Sequence, residues 1–561
     1  MVKKLLAVFN REIAGVHQAA FLLGLASIAA KILAILRDRL LAGLFGAGQS
    51  LDIYFAAFRI PDFLYTASLL LVASAAVMPL LIQKERAGSE PARRFISELI
   101  SVFALIMILS ATIAFLFMPF LARLIAPGFS QDNFSQMVAL SRILLLSPIL
   151  LGLSALISSV IQAHRRFFIY AVSPVLYNAG IIFGILFFYP IIGFSGLVWG
   201  VVLGALAHIL IQLPSLHSLG YWPKPALRVN FRDILNVFYL SLPRSIGLEI
   251  NQIILIVITA MASALSAGSI AVFQLSYNLY SIPLGVIGLS YSLAAFPALA
   301  RSFADGKTGE FEVNVNSSIR HIIFWSTPAA ILFIVLRAHI VRVVLGAGAF
   351  GWADTRLTAA ALGIFSVAIV AQSVSILLVR AFYAAGRVAF PLLVDVFTAG
   401  VIIGFSYGFL KLFEISRSFQ LFFNAFLRVE DLSQTSVLIL VFAFSLGSVL
   451  DVFLLWLGFV RIFRFSDGKL RKSAFKNALA GAALGASTYG LLRLTGVWFD
   501  LKTFGSVFFH GFLAGTGGIA AAAAVHWFLR NEELFEILDA LRRKFWSRPV
   551  IASEPQSASQ G

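Results

Sequence analysis

Residues 31–61 read KILAILRDRLLAGLFGAGQSLDIYFAAFRIP. Two apolar segments of membrane length meet at Gly46-Ala47-Gly48, and Lys31, Arg37, Asp38, Asp52 and Arg59 are set into them. A fixed charge at the centre of a bilayer costs roughly 3 kcal/mol or more, so such residues face a watery cavity or a partner and mark substrate paths. The stretch therefore reads as the lining of a cavity in a polytopic membrane protein, and its surplus of cations points to an anionic cargo.

The rest of the chain agrees. It is 60% hydrophobic and 12% charged, with a mean hydropathy of +0.93, where a soluble domain carries about 25% charged residues. Apolar runs between charged or Gly/Pro breaks predict an all-α fold of about 14 membrane helices. Their approximate spans are 18–36, 52–82, 96–122, 138–162, 168–189, 195–216, 235–262, 270–299, 319–345, 357–384, 388–410, 434–460, 474–493 and 505–529. The runs lack the strict alternation of a membrane β-barrel.

A net charge of +17 raises the question of nucleic acid, but the cations cluster in alternate loops, which is the positive-inside pattern. Lys84, Arg86, Arg93, Arg94, Arg165, Arg166 and the stretch from Arg461 to Lys476 fall on one side with the amino-terminal lead-in and the basic tail. Both termini are then expected in the cytoplasm, segment 411–433 outside, and no nucleic-acid partner. Residues 1–17 read as an amphipathic lead-in and 531–561 as a basic tail with a disordered end. There is no cysteine, hence no disulfide or thiolate metal site.

Two parts of the chain repeat at a shift of about 218 residues. Phe55 precedes Pro79 by 24 residues, and Phe273 precedes Pro297 by the same distance. A shift of 217 places Pro174 over Pro391. Such self-similarity is expected of two-lobed transporters whose cargo binds between the repeats. The expected organisation is a first lobe at 18–217 (helices 1–6), a second at 218–460 (helices 7–12) and an appendage at 461–530 (helices 13 and 14). The prolines inside these spans favour kinks.

Several motifs then fall in one order. The run RDRLLAGLFGAGQSLDIYFAAFRIPDFL, the tetrapeptide Ala126-Pro127-Gly128-Phe129, the segment GAFGWADTRLTAAAL (348–362) and RAFYAAGRVAFP (380–391) together resemble the MurJ/MviN family, lipid II flippases of the MOP transporter superfamily. The resemblance covers roughly residues 20–400. It implies a two-lobed, 14-helix fold in the bacterial cytoplasmic membrane, alternating between inward-open and outward-open states. The implied cargo is a polyprenyl-pyrophosphate-linked peptidoglycan precursor, its tail helped by a groove at the last two helices. Membrane lipids and cell-wall synthesis proteins are the implied partners. Lys31 and Arg37 match the family's first-helix cations. Tyr65-Thr66 and Leu70-Leu71 stand where the family has charged and acidic-glycine pairs, and Asn278 where it has an arginine.

These residues make the candidate site. Six positions apart, Lys31 and Arg37 both fall within about 60° of one helical face, as a phosphate clamp requires. Snorkelling to the lipid interface, or pairing with Asp38 or Asp52, is the structural alternative. Arg59 is a further candidate with snorkelling as its rival. Arg244 is placed either to replace the cation lost at Asn278 or to anchor its helix at the interface, while Asp52 and Asn278 would tune the cavity. Glu249, Asp395 and Asp451 lie deep in apolar runs, where acids are paired, protonated or ion-bound; the family resemblance suggests a coupling Na⁺, and H⁺ is the other candidate. No other cofactor is expected.

The histidines show no metal spacing and there is no phosphate-binding loop or nucleophile elbow, so the chain reads as a transporter rather than an enzyme. His208 reads as a packing residue. The rivals are another MOP transporter (a polysaccharide-unit flippase or a drug/cation antiporter), a non-transporting scaffold for envelope assembly, and a membrane glycosyltransferase using Glu430 and Asp431.

Overall fold

A computed structural model describes residues 16–72, 74–226, 229–463, 468–500 and 503–546. Most of the lead-in, the polar end of the tail and the side chain of Arg244 lie outside the described residues. Every regular element described is a helix. Hydrocarbon imposes this, because it offers no partner for an unpaired backbone N–H or C=O and a helix satisfies both internally.

The first rod is α1 (Val16–Phe45). The second is interrupted at Phe58, between α2 (Gln49–Ala57) and α3 (Arg59–Val72), and is described again from α4 (Ser74–Arg86). The first lobe continues with α5 (Ser89–Ile125), α6 (Gln131–Ala163), α7 (Phe167–Ile192) and α8 (Ser195–Ser218). The second holds α9 (Phe231–Ser263), α10 (Ser269–Ala304), α11 (Thr308–Val335), the short α12 (Arg337–Leu345), α13 (Trp352–Ala384), α14 (Ala389–Ile415), the amphipathic α15 (Arg417–Leu427) and α16 (Val437–Phe463). After them come α17 (Gly468–Thr495), α18 (Phe504–Phe528) and a terminal amphipathic α19 (Glu532–Trp546). Ten of the described helices are long and apolar enough to cross a membrane. The rods α1, α2–α4, α9 and α17 are broken or richer in charge, and they complete two six-rod lobes with a two-rod appendage.

In the first lobe α7 packs on α1 and α8, and α3 on α6. The α7–α8 seam is glycine on glycine: a methyl at Gly180 would strike Gly204, and one at Gly184 would strike Gly200. Small residues let membrane helices approach closely enough for dispersion to hold them where no hydrophobic effect acts. In the second lobe α13 is central, packed on α10, α11 and α16 around Phe273, Phe365 and Phe444. The appendage leans on α11 and α12. The lobes meet where α3 lies on α9, α2 on α10 and α1 on α12. Pro283 closes the first α-helical stretch of α10. A π-helical turn, Leu284–Leu289, follows it in α10, and such turns often sit at functional sites.

Candidate functional site

The site is the seam between the lobes, and its two parts are built differently. At the end holding the α1–α2 and α9–α10 turns, the lobes are joined backbone to backbone. The N–H of Ala349 donates to the Gly43 carbonyl at 2.8 Å. Gly268, at φ +91°, sits against the Ala47 carbonyl with no room for a Cβ. The N–H of Gly128, from the Ala-Pro-Gly-Phe motif, donates to Ser263 Oγ at 3.2 Å. Arg39 donates to the carbonyls of Val343 (2.5 Å) and Val344 (3.3 Å), groups that the end of α12 would otherwise leave unpaired.

Asp52 belongs to this seal. Its carboxylate accepts from the N–H of Gly268 (2.6 Å) and of Ala271 (2.8 Å), and the residue is 2% exposed. It caps α10 from the opposite lobe, where free N–H groups and the helix dipole favour an anion. The expectation that Asp52 tunes a cargo cavity is therefore corrected. Its oxygens are already occupied, and hydrogen bonds to a charged group contribute about 1.5–3 kcal/mol.

Further along the seam the contacts are side chain to side chain, and they form one chain. Arg59 donates to Thr259 Oγ1 (2.7 Å) and Gln274 Oε1 (2.8 Å). Gln274 donates to Asn278 Oδ1 (2.8 Å), and Asn278 donates to Asp38 Oδ2 (2.9 Å). Arg37 closes on Asp38 Oδ1 through Nε (2.9 Å) and Nη2 (2.8 Å), and its Nη1 reaches Asn178 Oδ1 at 3.4 Å. Arg59 neither snorkels nor faces cargo here. It is 4% exposed and bound to α9 and α10. Arg37 stands in the seam with its charge answered by Asp38, the pairing that the sequence reading held as its alternative.

Lys31 lies two turns away on α1, and its ammonium makes no hydrogen bond among the described residues. It lies against the π-helical turn of α10, where a Cβ on Gly285 would be 3.2 Å from Nζ. Lys31, Arg37 and Asn278 are thus gathered at the α1–α10 contact, while Asp52 and Arg59 hold the lobes together. Arg244 is on α9, with its side chain outside the described residues.

The three deep acids do not converge. Among the described residues no group of three or more His, Asp or Glu side chains is arranged for a metal ion. Asp451 accepts from Ser375 (2.7 Å) and Thr398 (3.3 Å). Asp395 faces α9, its Oδ2 3.6 Å from where a Cβ on Gly247 would stand. The Glu249 carboxylate is buried, and neither oxygen has a hydrogen-bond partner. The candidate glycosyltransferase acids are also accounted for in part: Asp431 is held at both oxygens by Arg356 (2.5 and 2.6 Å).

Sequence reading missed Asn178, Gln274 and Thr259, which are ordinary residues in apolar helices until a partner appears opposite. Asp38 carried a signal, adjacency to Arg37, without showing which lobe it would serve.

Two six-rod lobes, a kinked seam lined by opposed polar groups and an appended helix pair define a two-lobed membrane transporter fold. Solved structures agree on that fold. A lipid II flippase MurJ in an inward closed conformation matches with TM-score 0.70 at 21% identity, covering 91% of this chain and 99% of that one. An inward-facing multidrug resistance MATE family transporter of the MOP superfamily matches with TM-score 0.60 at 14% identity, over 78% and 94%. The family model described as lipid II flippase MurJ matches residues 41–505, and the chain belongs to that family. Relatives named probable lipid II flippase MurJ include one from Buchnera aphidicola subsp. Acyrthosiphon pisum, 28% identical over 67% of this chain and 74% of its own length. Another, from Rhizobium tropici, is 30% identical over 64% and 69%.

Proposed function

We propose that this chain moves lipid II, the polyprenyl-diphosphate-linked peptidoglycan precursor, from the inner to the outer leaflet of the cytoplasmic membrane by alternating access. Family membership supports the cargo, and the Arg37–Asp38–Asn278 contact across the seam is the observation that carries the mechanism. A diphosphate is a stronger bidentate partner for a guanidinium than one shared carboxylate oxygen. When it takes Arg37, with Lys31 as second cation, its negative charge stands beside the Asp38 carboxylate and repels it, which weakens the bond to Asn278 and releases the inter-lobe link. Cargo binding then favours the separated lobes over the closed ones, which is all that a ligand-driven change of state requires. The positive-inside pattern puts the glycine-sealed end outside and both termini in the cytoplasm. α17 and α18 would guide the prenyl tail.

The coupling cation, Na⁺ or H⁺, would act singly at Glu249, Asp395 or Asp451, on the neighbouring α9, α14 and α16, since the three do not converge in this state. The unpartnered Glu249 carboxylate supports a site there, because a buried acid without a partner is stable only when protonated or ion-bound. Complementation in cells depleted of their lipid II flippase tests the reading. The native chain should restore growth, and Arg37→Ala and Lys31→Ala, expressed and membrane-inserted, should not. Rescue by the double variant would replace transport by a scaffolding role.

A further inference from the structure

The first lobe contains a cavity that the seam does not use. It is about 310 Å³, near the lower end for small-molecule sites, and lies between α3, α6, α7 and α8. Its polar lining is Asp62, Tyr65, Ser147, Tyr177 and His208, set among prolines, leucines and Phe58. The Asp62 carboxylate accepts no hydrogen bond among the described residues. His208 is held from behind: its Nδ1 meets Ser154 Oγ at 2.7 Å, and Gln212 Nε2 donates to the same oxygen at 2.7 Å. The Gln212 orientation is fixed by the His208 carbonyl at 3.2 Å and the Ser158 hydroxyl at 3.1 Å. Ser154 Oγ also lies 3.3 Å from the His208 carbonyl, so the imidazole is held in place through Nδ1 while its other ring nitrogen is left to donate or accept.

The cavity therefore offers a carboxylate, an imidazole held from behind, three hydroxyls and the faces of two tyrosines. Alternating donors and acceptors on aromatic and apolar walls suit a ring with polar hydroxyl edges and an apolar C–H face. The cavity also adjoins the cation site. Tyr177, in its lining, precedes Asn178, whose Oδ1 accepts from Arg37 at 3.4 Å. We infer that this cavity is a sugar subsite, taking the hexose attached to the diphosphate held by Arg37. The inference rests on the diphosphate reading of Arg37 and adds a specificity to it. The charge near Arg37 binds any prenyl diphosphate, and the cavity selects those carrying a sugar.

Binding of two probes to purified full-length protein in nanodiscs tests this: geranylgeranyl diphosphate, and the same lipid bearing one acetamido-hexose on its terminal phosphate. The wild type should bind the sugar-bearing probe about tenfold more tightly, as one or two added hydrogen bonds to charged groups imply. Asp62→Asn and Tyr65→Leu should abolish that preference without weakening the bare diphosphate. A photoreactive diazirine on the sugar should label α3 or α7 of the wild type, a readout independent of variant folding. Equal binding of both probes by the wild type, or labelling confined to α1 and α10, overturns the sugar subsite and leaves the diphosphate site standing. Binding of neither probe overturns the diphosphate reading, and the subsite with it. Weakening of both probes alike by the variants makes Asp62 and Tyr65 structural and overturns the subsite.

Discussion

The second rod (α2–α4) and α10 carry the same Phe-to-Pro spacing, yet they divide the work of the seam unequally. α2 brings Asp52, which caps its counterpart, whereas the position 218 residues on is the buried Ile270, so no acid reaches back. α10 brings Gln274 and Asn278 to the partner lobe, answered from the first lobe by Arg59 and Asp38. Both joints cross the same boundary. One is built mostly on backbone groups, with Asp52, Arg39 and Ser263 bonded to them, and the other is bonded side chain to side chain. A transporter needs this asymmetry: one joint that stays shut until cargo arrives, and another that cargo can edit.

The largest effect should come from spoiling the rigid joint. Gly268→Val adds a side chain onto the Ala47 carbonyl at a positive φ, whereas Gly306→Val meets the same conformational penalty (φ +71°) with nothing within 4 Å. Strain at such φ costs about 1–3 kcal/mol in either case, so the difference between the two isolates the seal. The chain has no cysteine, so Ala47→Cys can report access to an impermeant maleimide. Gly268→Val should label far faster and fail complementation, and Gly306→Val should label as the parent does. Equal labelling would mean that the glycine contacts do not close the path.

Asp52→Asn should come next. The amide keeps the shape but has a single accepting oxygen, so its NH₂ faces the N–H of Gly268 or Ala271, and the charge that the α10 terminus favours is lost. The loss of about 1–2 kcal/mol corresponds to roughly a tenfold rise in labelling at residue 47.

The flexible joint is tested at Asn278. Only a group that both accepts and donates fits between Gln274 and Asp38, and asparagine does so where arginine has no acceptor. Asn278→Leu should weaken the closed state by about 1 kcal/mol and raise labelling modestly. Asn278→Arg would leave the Gln274 amide without its acceptor while pairing more strongly with Asp38. It should tighten the closed state and slow transport until Gln274→Leu is added. Independent effects of the two substitutions would break the idea of one connected relay.

Most of the fold was legible because hydropathy and charge placement are one-dimensional signals. The lobes, the rods and the breaks at Gly46–Gly48 follow from runs and interruptions. The site was legible only in its charges. Asp52 and Arg37 looked alike in sequence, each an ion in an apolar helix, and only the three-dimensional partners separate a helix cap from a cation paired within the seam. Gln274, Asn178 and Thr259 gave no signal, since a neutral polar residue in a membrane helix costs little and announces nothing. Asn278 was visible as a departure, but its reason, the acceptor that Gln274 needs, lies a helical turn away on the same face of α10.

A third joint lies away from the seam and should leave it untouched. Arg320 of α11, with only a tenth of its side chain exposed, binds Glu532 (2.6 Å) and Glu533 (3.3 Å) at the start of α19. The guanidinium holds the Glu532 carboxyl below the usual glutamate range. A lowered folded-state pKa stabilises above the unfolded value, near 4.3, and that contribution is lost as pH falls through the folded value. Proteolytic release of α19 should thus be unchanged from pH 7 to 5 and rise below about 4. Glu532→Gln should release the helix more readily at neutral pH and flatten this acid dependence. The effect is small, because Glu532 is largely exposed and screened, and labelling at residue 47 should not move. If Glu532→Gln altered that labelling, the tail helix would belong to the gating machinery, and the division of the seam into two joints would have to include a third.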